Sequence, residues 1–155
     1  MKIVEMPLEA GGRNSVHDGR KLETPDHRPE WITVHGETLG GFGAREWADA
    51  VLRGDVPSTY HYIVGAGGVF HLVRDDEATW HAGDGEHGEG NVKSLSVLVI
   101  GKAEVQAAEL IRELQKQYGL GVDRVVPHRH WRPDRNCPAQ ILPHWEAFLR
   151  KCDGK

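Results

Sequence analysis

The sequence has few of the features that mark disulfide-rich, membrane or secreted proteins. Its two cysteines, Cys137 and Cys152, are too few for a disulfide framework, and we interpret Cys152, in a polar tail, as a free thiol. No apolar run approaches the roughly 20 residues needed to cross a bilayer. The first thirty residues lack the basic head and apolar middle of a secretory signal. We therefore expect a protein made in the cytoplasm without a signal peptide and with no membrane partner.

Charge and length narrow the class further. The formal net charge is -4 and the pI is near 6.2, which argues against binding nucleic acid through its phosphate backbone. A chain of 155 residues can bury one core but not a second. It contains no internal repeat, linker or low-complexity segment. We expect a single monomeric domain over residues 1–155, with residues 1–29, which are rich in glycine and proline, forming an extended arm.

The hydrophobic pattern predicts an α/β fold. Short apolar or β-branched runs predict strands at residues 2–6, 31–35, 60–64, 69–73, 94–100 and 122–127. Apolar residues at helical spacing predict helices at residues 44–53, 103–118 and 141–151. The run at 94–100 is apolar almost throughout, which is typical of the middle of a sheet covered on both faces. We expect a central mixed sheet of about five to six strands flanked by helices, including one β-hairpin formed by the runs at 60–64 and 69–73.

One stretch, residues 125–140, concentrates metal-binding side chains. It reads V-V-P-H-R-H-W-R-P-D-R-N-C-P-A-Q, so an apolar run delivers His128 and His130, and Cys137 follows after a loop. Zinc prefers nitrogen and sulfur ligands, and a site with three protein ligands leaves a fourth position open. The best source of the missing ligand is His35, at the end of the predicted strand 31–35. The sequence therefore predicts a zinc site at strand ends, in an open groove.

The spacing leaves two alternatives at this site. His128 and His130 would point the same way on an extended chain, so His130 is a rival ligand. A fourth ligand such as His130 or Glu37 would close the site and make the zinc structural. In the polar loop 75–90, His81 is a further candidate to bind metal or substrate, because long loops in compact domains are commonly functional. We interpret the remaining histidines as structural or solvated: His17, His27, His61, His71, His87 and His144.

Five short motifs, taken in order, carry a family resemblance. They are V-H at 34–35, S-T-Y-H-Y-I-V at 58–64, W-H-A-G-D at 80–84, G-N-x-x-S-L at 90–95, and H-R-H-W to R-N-C-P at 128–138. Over roughly residues 31–149 the chain resembles the zinc-dependent N-acetylmuramoyl-L-alanine amidases of type 2, which include phage endolysins, bacterial autolysins and peptidoglycan recognition proteins. The resemblance implies cleavage of the amide between N-acetylmuramic acid and L-alanine in peptidoglycan. Because the sequence shows neither a signal peptide nor a wall-binding repeat, we expect a phage lysis enzyme that acts on the bacterial cell wall and has no separate wall-binding domain.

The resemblance assigns roles to individual residues. The family's zinc ligands fall on His35, His128 and Cys137. Its tyrosine near the metal falls on Tyr60, and the basic residue that stabilises the oxyanion falls on Arg135. The histidine of the W-H-A-G motif, which lines the family's substrate groove, falls on His81. We expect Trp80 and His130 to bind substrate as well.

The chain departs from the family pattern at the general base. Many endolysins of this group have a glutamate inside the central strand, where this chain has an apolar run with Leu98 near that place. After the first ligand the chain reads His35-Gly36-Glu37-Thr38, one residue longer than the common H-x-T, so Glu37 could supply the missing carboxylate. A further alternative is a peptidoglycan-binding module without catalysis. Loss of the cysteine ligand usually marks such relatives, and Cys137 is present here.

Overall fold

A six-stranded mixed sheet forms the centre of the computed structural model, which describes residues 1–38 and 40–154. The strands are β1 (Ile3–Glu5), β2 (Trp31–Glu37), β3 (Tyr62–Gly65), β4 (Gly68–His71), β5 (Ser94–Ile100) and β6 (Val125–Pro127). Their order in the sheet is β1-β4-β3-β5-β2-β6. Only the β3–β4 hairpin is antiparallel among these pairs; the other neighbours run parallel. The predicted α/β domain with a mixed sheet is confirmed.

The helices cover both faces of the sheet. They are α1 (Ala44–Arg53), α2 (Glu89–Val92), α3 (Glu104–Tyr118), α4 (His128–Trp131) and α5 (Trp145–Cys152). One apolar cluster joins α3 and α5 to one face, and a second joins α1 to the other. All seven residues of β5 are buried between them, as its continuous apolarity predicts. Within the described residues, no helix combines the length and apolarity required of a bilayer span.

Several predicted boundaries shift for local reasons. The last strand is shorter than predicted, because Val122–Arg124 forms a 3-10 turn before β6 begins. The last helix begins later, because Leu142–His144 forms another 3-10 turn around a proline that lacks a backbone N–H. The hairpin strand begins at Tyr62, so Tyr60 precedes it instead of lying within it.

Two residues taken as peripheral are in fact buried. Cys152 is 2% exposed and belongs to the apolar cluster under α3 and α5, so the prediction of a thiol in a polar tail is wrong in its environment. His17 is also 2% exposed, and its Nε2 lies 3.1 Å from Glu77 Oε1. The arm therefore packs against the domain instead of leaving His17 in solvent. The arm and the tail are polar on average, but His17 in the arm and Cys152 in the tail are buried.

A cluster of hydrogen-bonded polar side chains around Asp75 links β3, β4 and α3, in the half of the sheet away from β6. The Asp75 carboxylate accepts hydrogen bonds from Tyr62 at 2.8 Å, from His71 Nε2 at 3.0 Å and from Tyr118. The other ring nitrogen of His71 lies 2.9 Å from Glu5 on β1. Burial alone would lower the pKa of His71, but its bonds to Asp75 and Glu5 outweigh burial and raise it.

Candidate metal centre

Strand register brings two of the predicted ligands side by side. β2 and β6 are parallel neighbours, and Val34 pairs with Pro127. The next residues along each strand are His35 and His128, so both leave the same end of the sheet. Their ring centroids are 4.4 Å apart, and His35 is 3% exposed. The sheet itself therefore builds half of the site.

The loop after α4 supplies the third ligand. Its backbone is fixed by a hydrogen bond from Arg129 N to Cys137 O at 3.2 Å, and Cys137 Sγ lies 3.9 Å from His35 Nδ1. This approach requires Gly36, because a Cβ at that position would lie 2.8 Å from Pro138 Cβ. The absence of a side chain at Gly36 thus admits the cysteine loop.

The three donors suit a zinc ion. One ligand atom from each of His35, His128 and Cys137 lies within 4.8 Å of the others, and within the described residues this group comprises these three. Zinc takes nitrogen at about 2.0–2.1 Å and sulfur at about 2.3 Å in a tetrahedron, so donors at these separations can surround one ion. A set of two imidazoles and one thiolate also favours zinc over harder cations.

Helix α4 separates the two candidate histidines of the H-R-H sequence. Residues two apart lie on opposite sides of a helix, whereas on an extended chain they would share a side. Accordingly His128 points to His35, while His130 is exposed and packs its ring 5.5 Å from Trp31 and 4.6 Å from Trp131. The expectation of an extended chain here is wrong, and the structure places His130 outside the donor cluster.

The electrostatic surroundings favour neutral imidazoles. Burial lowers the pKa of His35 well below its ordinary value, and the neighbouring His81 and His128 rings lower it further. Burial also lowers the pKa of His128, to which the nearby positive charge of Arg135 adds. Neutral imidazole is the form that ligates a metal. Burial raises the pKa of Cys137, so the thiol keeps its proton until a cation displaces it.

Tyr60 and Glu37 both lie beside the donors. The Tyr60 ring packs edge-on against His35, with centroids 5.3 Å apart. Burial raises the pKa of Tyr60, and the charges of Cys137 and Glu37 add to the effect, so the phenol keeps its proton at neutral pH. The negative charge of Glu37 also contributes to the raised pKa of Cys137.

Arg135 is an exposed cation beside the site. Its positive charge adds to the lowering of the His128 pKa and partly offsets the rise that burial causes in the Cys137 pKa. Across residues 1–38 and 40–154, no hydrogen bond or ion pair engages its guanidinium. Its donors are therefore available to a bound molecule.

Leu98 lies near the place where the family pattern led us to expect a glutamate. It pairs with His35 across β2 and β5, is 3% exposed, and packs in the apolar cluster with Ile63 and Phe70. Apolar packing here gives no acid or base to the site. Glu37, two residues after His35 on β2, is a carboxylate whose charge acts on both Tyr60 and Cys137.

The W-H-A-G segment contacts both histidine ligands. His81 is 8% exposed, and its Nδ1 lies 2.8 Å from His35 Nε2. The carbonyl of Ala82 accepts a hydrogen bond from His128 Nε2 at 2.8 Å. Beside them Trp80 is half-buried, with the guanidinium of Arg20 4.4 Å above its ring. The sequence pointed to this segment as a groove wall and gave no sign of its contacts with the ligands.

A single buried asparagine holds this segment in place. Asn91, 1% exposed, accepts hydrogen bonds from the backbone N–H groups of His81 and Ala82, both at 2.9 Å, and donates to Gly85 O at 3.0 Å. The neighbouring Gly90 is equally constrained, because a Cβ there would lie 2.5 Å from Ala82 Cβ and 2.7 Å from Trp131 Cγ. Sequence reasoning missed Asn91 as a site residue, although the G-N-x-x-S-L motif contains it.

The comparison of the whole sequence with known families agrees with this geometry. The sequence profile of the N-acetylmuramoyl-L-alanine amidases matches residues 25–140, which include all three donors. The chain belongs to the N-acetylmuramoyl-L-alanine amidase family. The resemblance drawn from the five motifs is thereby confirmed.

Two curated relatives in this amidase family come from Bacillus subtilis (strain 168). CwlH, named as an N-acetylmuramoyl-L-alanine amidase, is 35% identical over 130 residues, which are 78% of this chain and 52% of CwlH. XlyA, named likewise, is 30% identical over 135 residues, which are 81% of this chain and 45% of XlyA. The chain thus spans about half the length of the curated relatives it matches.

Solved structures show the same amidase fold. The catalytic domain of XlyA superposes with a TM-score of 0.86 at 27% identity, covering 98% of this chain and 99% of that domain. PlyL superposes with a TM-score of 0.84 at 22% identity, covering 98% and 97%. The chain thus aligns with nearly the whole of the XlyA catalytic domain.

Proposed function

We propose that the chain is a zinc-dependent amidase that hydrolyses the bond between N-acetylmuramic acid and L-alanine in bacterial peptidoglycan. The observation that carries the proposal is the cluster of His35, His128 and Cys137 at one end of the sheet, with ligand atoms within 4.8 Å of one another. Family membership of a chain that retains this donor set supports a catalytic unit over a binding module that lacks the cysteine.

Zinc held by these three residues supplies a Lewis acid, which polarises a carbonyl and lowers the pKa of water. The surrounding residues supply the other groups that the reaction needs. Arg135 offers fixed positive charge and several N–H donors at the open side, where the amide oxygen gains negative charge in the transition state. Removing one donor of this kind typically costs about 2.7–4 kcal/mol of barrier.

Tyr60 acts as a neutral donor in this scheme. Its raised pKa keeps the O–H protonated, and Ser58 Oγ donates to the phenol oxygen at 3.1 Å, which leaves the phenol proton free to point into the site. A donor at this position orients the attacking water or the oxyanion. The edge-on packing against His35 fixes the ring, so little conformational entropy is lost when substrate binds.

Glu37 is the general base that we assign. Its carboxylate lies close enough to Tyr60 and Cys137 to raise the pKa values of both, and Leu98 contributes no acid or base at the alternative position. Glu37 would take a proton from water as the new C–O bond forms. It would then give that proton to the nitrogen of L-alanine as the C–N bond breaks, which restores the carboxylate.

The biological role proposed is lysis of the bacterial cell wall by a phage enzyme, with the catalytic unit acting as a monomer. An endolysin from Bacillus subtilis superposes with a TM-score of 0.86 at 27% identity, which supports a lytic role. Trp80 and His130 remain the proposed contacts for peptidoglycan along the groove, whereas His81, 8% exposed, lies behind the metal donors.

The decisive assay measures free amino groups of L-alanine released from purified bacterial cell walls. We expect release by the zinc-loaded protein and none after treatment with a chelator, with recovery on adding zinc. Cys137→Ala should abolish release, while Cys152→Ala, the same change at a buried cysteine outside the site, should retain it. Walls that bind the protein and release no amino groups would instead indicate a binding module and contradict the proposal.

A further inference from the structure

The ring of His81 sits behind the metal donors and not among them. His35 uses Nε2 to contact His81 Nδ1 at 2.8 Å, and uses Nδ1 to face Cys137 Sγ at 3.9 Å. A neutral imidazole carries one proton, so one ring of the His35–His81 pair donates and the other accepts. Which ring donates decides whether His35 Nδ1 offers a lone pair to a metal.

The surroundings of His81 settle the direction of that hydrogen bond. Its Nε2 faces Ser94 Oγ at 3.5 Å, and the carbonyl of Gly90 also faces the ring. A carbonyl only accepts. Ser94 already donates its proton to Gly90 O at 2.6 Å, so its oxygen can only accept from His81 as well. His81 must therefore carry its proton on Nε2, and its Nδ1 must accept from His35 Nε2–H.

A series of hydrogen bonds that begins at Trp131 leads to the hydroxyl of Ser94. Trp131 Nε1–H donates to Thr33 Oγ1 at 2.9 Å, and Thr33 donates in turn to Ser94 Oγ at 2.9 Å. An indole nitrogen is a donor only, so this chain has a fixed direction. All of its hydroxyl groups are buried, so water does not compete for them. The donor at Trp131 therefore fixes the direction of each hydrogen bond as far as His81. His81 in turn determines which nitrogen of His35 carries the proton.

We propose that His81 is a positioning residue for the metal centre, which holds His35 in the Nε2–H tautomer and presents His35 Nδ1 to the cation. The inference rests on the zinc site of the proposed function. Ala82 O does the same for His128 by accepting its Nε2–H. Because Asn91 holds both residues by their backbone N–H groups, one loop sets the tautomers of both histidine ligands.

Two substitutions of His81 with nearly the same chemistry test this role. In His81→Asn the amide oxygen takes the place of Nδ1 and can accept from His35, whereas in His81→Gln the amide takes the place of Nε2 and cannot. We expect His81→Asn to keep the zinc affinity of the wild-type protein. His81→Gln should bind zinc about 10- to 100-fold more weakly, as is typical for loss of an outer contact to a ligand histidine. Zinc affinity is measured by competition with a chromophoric chelator.

The tautomer itself is measured without metal. Imidazole ¹⁵N shifts of the metal-free wild-type protein should show His35 protonated on Nε2, and His81→Gln should lose that preference. His87→Gln, an exposed histidine paired with Glu23, serves as the matched control and should change neither zinc affinity nor the His35 shifts.

The outcomes distinguish this inference from the proposed function. Equal zinc affinity of the Asn and Gln variants, or His35 protonated on Nδ1 in the wild-type protein, would overturn the role of His81 while leaving the amidase intact. Failure of the wild-type protein to bind zinc would overturn the metal site, and the NMR measurement would still decide the tautomer. If His81→Gln does not fold, the wild-type shifts alone give the answer.

Discussion

Loss of the Tyr60 hydroxyl should impair catalysis with little effect on stability. Tyr60→Phe keeps the ring that packs edge-on against His35 and removes only the phenol O–H. The one hydrogen bond the phenol makes to a described side chain is accepted from Ser58, a neutral donor that is itself only half-buried. Its loss costs about 0.5–1.5 kcal/mol of unfolding free energy. Loss of a transition-state donor should lower kcat about 10²- to 10³-fold.

The matched control lies two residues along the chain. Tyr62→Phe makes the same chemical change, but the Tyr62 hydroxyl donates to the half-buried Asp75 carboxylate, which is not among the metal donors. A hydrogen bond to a charged group contributes about 1.5–3 kcal/mol. We therefore expect Tyr62→Phe to lower stability by about that amount and to leave kcat unchanged. Tyr60→Phe should thus lower kcat with little loss of stability, and Tyr62→Phe should lower stability with no loss of kcat.

Three measurements on each variant test the argument. Urea denaturation gives the unfolding free energy, release of L-alanine amino groups from cell walls gives kcat, and chelator competition gives the zinc affinity. Tyr60→Phe should bind zinc as the wild-type protein does. Full activity in Tyr60→Phe would refute the donor role, and a large fall in its zinc affinity would show that the phenol ligates the metal instead.

Three further predictions concern charge, pH and steric fit. Arg135→Ala should lower kcat about 10²- to 10³-fold, and Arg135→Lys, which keeps the charge but not the fork of donors, should lose less. The raised pKa of His71 contributes stability that is present below about pH 6.5 and lost as pH rises through the folded pKa. Urea midpoints should therefore fall as the pH rises through that range, and His71→Gln should flatten the profile. Gly36→Ala should weaken zinc binding by displacing the Cys137 loop, because its Cβ would lie 2.8 Å from Pro138 Cβ, and a chelator titration measures the loss.

The fold was predictable where the hydrophobic pattern alone determines it. The run at 94–100 has no polar face, so only a central position between two layers could bury it, and β5 occupies that position. The stripe over 103–118 likewise predicted α3 within one residue. The pairing order of the strands was not predictable, since it depends on which crossovers pack and not on any single strand.

The site was predictable in its residue types but not in its outer contacts. His35 and Cys137 could be chosen because few side chains offer soft donors beside ends of strands. Local sequence gave no sign that residues 128–131 would turn into a helix, because four residues are too few for a periodic pattern. The contacts of His81 and Asn91 with the ligand region depend on how a long loop folds back, and its composition shows only that it is polar.

The helical turn at α4 explains why the chain can carry two histidines two residues apart without a fourth ligand closing the site. Parallel pairing of β2 with β6 fixes where His128 begins, and the turn then directs His130 towards Trp31 and Trp131. On an extended strand both rings would point to the same side, and His130 would be a rival fourth ligand in the proposed zinc site. Ending β6 at Pro127 and beginning a helix at the very next residue therefore keeps His130 out of the donor group, as the proposed zinc site requires.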